Sequence, residues 1–309
     1  MPRLAPAAGL ALLVGLLLPL VPVRGADPTQ GTLVVLNKAE ATASLIDLAS
    51  GRVVATVPTG TAPHEVAVSP DGKRAVVTNY GTREEPGSTL TVIDIAGARV
   101  EKTIDLKDHR RPHGVEWLSD GLDVVVTSEE KKALIAVDLK DGLVIRTVKT
   151  NQETSHMVAM APSGRRAFVS NIGSGSVSVI DIEKGELLAN SPTGEGAEGI
   201  TVTPGGKEVW VTNRAADTIT VVNARSLEII KEIPCASFPI RARVTPGGKY
   251  VLVSNARSGD LAVFDVATKE EKHRIPLELT AEVTEGRLFG GRFGDSSVPI
   301  GILIGPRGG

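Results

Sequence analysis

Residues 156–197 read HMVAMAPSGRRAFVSNIGSGSVSVIDIEKGELLANSPTGEGA, and most of the chain repeats this pattern. Apolar runs at 157–161 and 166–171 flank the turn Pro162-Ser163-Gly164-Arg165. A third run, 176–182, sets Val177, Val179 and Ile182 against Ser176, Ser178 and Asp181, and a weaker fourth at 187–190 follows Glu183-Lys184-Gly185. Alternation with period two, bounded by Gly, Pro and Ser, marks short half-buried strands rather than helices. Four strands in about 42 residues is the size of one propeller blade.

Working outward, equivalent units start at His64 (HEVAVSPDGKRAVVTNYG), His113 (HGVEWLSDGLDVVVTSEE), Glu198 (EGITVTPGGKEVWVTNRA) and Ile240 (IRARVTPGGKYVLVSNAR). The first unit has only three strands, at 32–37, 43–48 and 52–57, and the last, IGILIGPRGG from Ile300, is only an inner strand. The second strands end on Asn79, Asn171, Asn213 or Asn255, with Ser128 as the exception. The third strands end on Asp47, Asp94, Asp138, Asp181 or Asp265, with Asn223 as the exception. Residues that recur in nearly every unit are expected to satisfy loop backbone groups, not to catalyse. The expected fold is an all-β propeller of four-stranded antiparallel blades with six repeat units. Pairing of residues 300–304 with residues 33–37 would close the ring, and the alternative is a truncated seven-bladed ring. Pairing would remove exposed strand edges.

Of the 309 residues only 3% are aromatic, so Val, Ile, Leu and Ala must build the core, which suits strands. A net charge of -2 gives no general electrostatic footprint for nucleic acid. Cys235 is the single cysteine, which excludes an intrachain disulfide and any Cys-based metal or haem attachment motif. Between Pro234 and Ala236 it reads as a small buried residue.

Residues 1–25 read as a signal peptide: Arg3 is followed by the apolar run 7–20, and Val23-Arg24-Gly25 precedes a cleavage point before Ala26. The run is short for a membrane anchor, and no later segment is long and apolar enough to span a bilayer. A short linker, 26–31, leads into one propeller domain, 32–309, and the expected location is periplasmic or secreted. The insertion 277–299 holds Phe289 and Phe293 beside Arg287 and Arg292. Two rings in a long loop are expected to pin it against a blade.

VVTNYG (76–81), FVSNIG (168–173) and VWVTNRA (209–215), with SPDGKRA (69–75) and VSVIDI (177–182), resemble the YVTN family of β-propeller repeats. The resemblance covers nearly all of 32–309. It implies a propeller, commonly seven-bladed, of exported or surface proteins in bacteria and archaea. The chain is also similar to the haem d1-type and lactonase-type propellers, a group with many functions, and fold does not carry function. The departure is the count of six units instead of seven.

Aligning the units puts His64, His113, His156 and Glu198 at one position in four successive blades, with Arg241 one step further along its own unit. Connections into inner strands gather at one channel mouth. Three imidazoles and a carboxylate converging there could bind a divalent cation, the one candidate cofactor. With Arg110, Arg111 and Arg241 they could instead hold an anionic or lactone substrate, a His acting as base and an Arg stabilising the oxyanion. The competing reading is a repeat-specific blade-to-blade turn, and no HxH or HExxH spacing supports a metal. Charged residues after the second strands, including Glu129 and Arg214, read as a solvated rim. Neither a phosphate-binding Gly-rich loop nor a GxSxG elbow is present.

These features point to an exported propeller that binds a protein or small-molecule ligand through its channel-mouth face. No catalytic residue is assigned. The alternatives are a lactonase-like hydrolase built on the His/Glu/Arg cluster and an accessory subunit of a periplasmic redox system. The mature chain is expected to begin at or near Ala26 outside the cytoplasm. N-terminal sequencing of exported material checks this, and a chain still beginning at Met1 overturns it.

Overall fold

A computed structural model describes residues 30–278, 293 and 296–305. The expected leader, Ala26 and most of the 277–299 insertion, Phe289 included, lie outside the described residues. All regular structure described is β: one three-stranded sheet and five four-stranded sheets, each an antiparallel meander. No helix among the described residues is long and apolar enough to cross a membrane.

The four-stranded blades open with the inner strands Pro63–Val68, Pro112–Trp117, Ser155–Met160, Ala197–Val202 and Pro239–Val244. Each inner strand touches the next, which places them around a central channel. Their partners are the second strands Arg74–Gly81, Asp123–Ser128, Arg166–Asn171, Glu208–Asn213 and Tyr250–Asn255. Outer strands such as Glu271–Pro276 are solvent-exposed along their length. The core is a series of layers between consecutive blades. Val76, Leu90 and Val92 of one blade, for example, pack on Trp117, Val124 and Ile135 of the next. The alternation seen in the sequence gives each middle strand two apolar faces, one for each neighbouring blade. Cys235 is buried and donates to the Asn255 side chain, and burial pushes its thiol up to about 12.

The recurrent Asp residues do what the sequence suggests. Asp47, Asp94, Asp138, Asp181 and Asp265 each accept the backbone N–H three residues on, within 2.8–3.0 Å, and Asn223 does the same. The recurrent Asn residues act mainly elsewhere. Asn79 donates to Thr89 and Thr91, and Asn213 to Thr218 and Thr220, so they tie second strand to third through side chains. Backbone satisfaction is their smaller part, as where Asn79 Oδ1 accepts the Gly60 N–H.

All five inner strands slip register against the second strand at their start, at residues 63–66, 112–115, 155–158, 197–200 and 239–241. Such bulges re-aim side chains and free backbone groups from the ladder. A second-strand hydroxyl takes up the freed groups. Thr127 Oγ1 accepts the Gly114 N–H at 2.8 Å and donates to the His156 carbonyl of the next blade at 2.7 Å. Thr78 likewise accepts from Glu65 and donates to the His113 carbonyl, and Ser170 accepts from Met157 and donates to that of Glu198. Gly114 and Gly199 permit the close approach. A Cβ on Gly114 would lie 2.8 Å from the His156 carbonyl oxygen, and one on Gly199 would lie 2.7 Å from Arg241 Cα.

Ring closure is the point of correction. Thr32–Asn37 pairs only with Thr42–Asp47, and no backbone hydrogen bond joins it to residues 300–305, which form no strand among the described residues. Yet the Ile300 carbonyl accepts from Ser254 Oγ at 2.8 Å, the same contact that receives His113 and His156. Residues 300–303 and 33–36 also line one cavity. The C-terminal segment therefore occupies the inner-strand place without the ladder. Every other inner strand is held in register by a tight turn to its second strand, whereas this one reaches its neighbour from the far end of the chain, with no hairpin to set the pairing.

Thr127→Val should cost about 1–3 kcal/mol, because it leaves the buried Gly114 N–H and His156 carbonyl unpaired at nearly constant volume. Urea unfolding measures the loss, and a midpoint equal to the unsubstituted protein's would contradict this account of the blade junction.

Candidate functional site

The bulges bring the sequence-selected residues together. His64 and His113 have ring centroids 4.3 Å apart, and His113 and His156 are 3.6 Å apart. His156 Nε2 lies 3.4 Å from Glu198 Oε1, and Arg241 Nη1 donates to the same oxygen at 2.9 Å. Four successive blades thus supply one continuous row, and Arg241 comes from a fifth. Its other nitrogen donates to Glu65 Oε1 at 2.6 Å, joining the Ile240 blade to the His64 blade across the channel. Arg110 and Arg111 are not part of this row. Arg110 is exposed, and Arg111 lies over the Tyr80 ring, 5.1 Å from its centroid.

Five more residues complete the cluster, Glu65 among them at the aligned position that Arg241 also holds. Glu65 closes the Arg241 pair. Lys38 Nζ bonds His64 Nδ1 at 2.8 Å. Tyr80 donates to Glu129 Oε2, whose other oxygen accepts from His156 Nδ1 at 2.6 Å. Arg214 pairs with Glu198 Oε2. Lys38, Tyr80, Glu129 and Arg214 each directly follow the Asn or Ser at one equivalent point, namely Asn37, Asn79, Ser128 and Asn213, with Tyr80 still inside its strand. The same alignment, read one step beyond the recurrent Asn or Ser, would have found them. Glu129 is no rim residue, since its side chain is only 9% exposed.

The electrostatics follow from burial and pairing. Burial, then the charges of Lys38, His156 and Arg241, hold His64 down at about 3. His113 lies well below the ordinary imidazole value, chiefly from burial and then from the positive His156. Burial also opposes charge on His156, but its hydrogen bonds to Glu129 and Glu198 outweigh this and raise it. Burial works against the Glu198 carboxylate as well. The His156 hydrogen bond and the charges of His156, Arg241 and Arg214 overcome it and pull Glu198 to about 2. The result is an imidazolium held between two carboxylates beside two neutral imidazoles. His113 is 0% exposed, and neither ring nitrogen has a hydrogen-bond partner. An unpaired buried polar group costs about 1–3 kcal/mol, so this ring is the conspicuous gap in an otherwise satisfied network.

Below the row lies a cavity of about 470 Å³, lined by His64, Glu65 and Arg241, by Glu116 and Arg243, and by apolar residues including Leu33, Ile200 and Ile300. Arg243 faces Glu116 at 3.8 Å. To the side of the mouth, Arg214 and Arg257 sit over the Phe238 ring at 5.4 and 5.1 Å, and Phe293 packs against it at 5.3 Å. Of the two rings expected to pin the insertion, Phe293 makes such a contact, with Phe238, and Phe289 lies outside the described residues.

Residues 27–274 match the family described as "Lactonase, 7-bladed beta-propeller". The chain belongs to that family. Its described residues form six sheets where the family description counts seven. No curated protein matches the chain. Among solved structures it is similar to a chain of Kuenenia stuttgartiensis hydrazine synthase, with a TM-score of 0.71 and 20% identity over 81% of this chain and 84% of that one. At that identity the likeness establishes the propeller fold alone.

Glu198→Gln should destabilise the protein most near neutral pH. Because the folded carboxyl titrates at about 2 against an ordinary value of 4.5, its contribution is complete above about 4.5 and fades as pH falls towards 2. Urea midpoints for both proteins from pH 7 to pH 2 should therefore converge at the acid end. A gap independent of pH would refute the charge network.

Proposed function

We propose that this chain is an exported binding propeller that takes a small, polar, largely uncharged ligand at the channel mouth. The sequence expectation of a leader supports export. The observation that carries the binding reading is the mutual pairing of the mouth's charged groups. Arg241 is engaged by both Glu65 and Glu198, and His156 lies between Glu129 and Glu198. His64 is neutral and bonded to Lys38. A general base works best with a pKa near the operating pH, and an oxyanion donor must be free for the developing charge. His64 and Arg241 meet neither condition. What they offer is a fixed set of donors and acceptors of both signs over a cavity of about 470 Å³ with apolar walls, which fits a polyhydroxylated ring or similar small molecule.

Family membership favours a second reading, lactone hydrolysis, with His64 as base and Arg241 on the oxyanion. One pair of measurements separates the two. Purified protein is tested on a six-membered sugar lactone in a pH-stat, and on a cyclic sugar ether of the same ring size by thermal shift. Binding predicts a raised melting temperature with the ether, lost in Arg241→Met, and no lactone opening above the uncatalysed rate. Catalysed opening that disappears in His64→Gln would establish the hydrolase instead.

A further inference from the structure

We infer that His113, Glu129 and His156 form a binding site for a divalent first-row transition ion of the Zn²⁺ type. The inference rests on the binding reading of the mouth and adds an ion beside the small polar ligand. One ligand atom from each of the three residues lies within 4.8 Å of the other two. Zinc holds nitrogen and carboxylate oxygen at about 2.0–2.2 Å, so its ligand atoms stand some 3–3.5 Å apart in a tetrahedral shell. Small side-chain rotations close the set to that size. Two imidazoles and a carboxylate are the donor set of open three-ligand zinc sites, and imidazole with carboxylate equally suits the neighbouring first-row ions.

Proximity of His and Glu alone would not carry this. The independent observation is His113, wholly buried, with both nitrogens unpartnered, in a cluster where the other members are bonded. A ring that served only to pack would be an apolar residue at no loss, whereas a neutral imidazole with a free lone pair is what an ion requires. The two other ligands already have supports of the kind that orient metal-binding residues. His156 Nε2 faces Glu198 at 3.4 Å, which leaves Nδ1 turned to Glu129, and an ion would take the place of the proton between them. Glu129 is steadied through its second oxygen by the Tyr80 hydroxyl at 2.5 Å. Arg214 and Arg241 in turn hold Glu198. Tyr80 and Glu198 are therefore positioning residues, and the backbone beneath both histidines is fixed by the Thr78 and Thr127 hydroxyls.

Protein stripped with a chelator is titrated with Co²⁺, followed by its visible absorption, and with Zn²⁺ by calorimetry. One ion per chain is expected, with the intense visible bands of tetrahedral Co²⁺, displaced by Zn²⁺. His113→Gln and Glu129→Gln should each weaken binding at least about tenfold, and Tyr80→Phe by about tenfold through loss of the support to Glu129. His109→Gln, remote from the cluster, should change nothing. Failure to bind one ion per chain overturns the inference, and so does undiminished binding in Glu129→Gln. Should His113→Gln not fold, Glu129→Gln and Tyr80→Phe decide alone, being changes of nearly equal volume. The sugar-ether thermal shift is repeated on the stripped protein. If it persists while no ion binds, the metal inference fails and the binding reading stands. If both vanish, the binding reading fails as well.

Discussion

In three successive blades a single hydroxyl near the end of the second strand, that of Thr78, Thr127 or Ser170, decides where the site residues stand. It accepts the N–H that a bulge has released in its own blade and donates to the carbonyl of the matching residue in the next, as Thr127 does between Gly114 and His156. One side chain thus stabilises the bulge and sets the spacing between blades. Because the carbonyl it grips belongs to His113, His156 or Glu198, the side chains of these residues are delivered to the channel at a fixed step. The hydrophobic layers between blades supply the bulk of the cohesion, but they are tolerant of small sliding. The hydroxyl bond removes that freedom where the chemistry lies.

The departures from this scheme are as informative as its repetition. In the first blade the position of Thr78 and Thr127 is Leu36, which has no hydroxyl, and the contact to the next blade passes instead through Lys38 to His64. At the other end Ser254 keeps the hydroxyl and grips Ile300, although the segment that follows forms no ladder with Thr32–Asn37. Ser296 and Ser297 also donate to the Ala256 and Gly259 carbonyls of the last blade, but this segment lacks the hairpin that fixes every other inner strand. The junction of the two ends borders the cavity beneath His64 and Arg241.

Burying so many charges is tolerable only because nearly all are matched. Desolvating an ion costs several kcal/mol, and removing one partner of a buried pair leaves the other stranded. Here Glu198 serves three cations at once, and Arg241 bridges two carboxylates from opposite sides of the channel. This cross-brace makes Arg241 a structural tie as well as a lining residue. It also makes the unpartnered His113 exceptional within its surroundings.

The sequence by itself determined the blade plan. Alternation of period two, turn residues at a fixed spacing and a recurrent Asn or Asp at strand ends are local signals, and the six units and the capping role of Asp47 and its equivalents follow from them. It also determined that His64, His113, His156 and Glu198 share one position, since equivalent places in a repeat become neighbours in a ring. Tertiary structure decided what surrounds them. Lys38, Glu129 and Arg214 lie in turns whose composition resembles any solvated rim, Tyr80 lies near the end of its strand, and only the packing of adjacent blades turns their side chains inward. Whether residues 300–304 pair with residues 33–37 was likewise beyond local reading. A strand pairing between chain ends is set by geometry accumulated over all the blades between them, and no short-range signal encodes it.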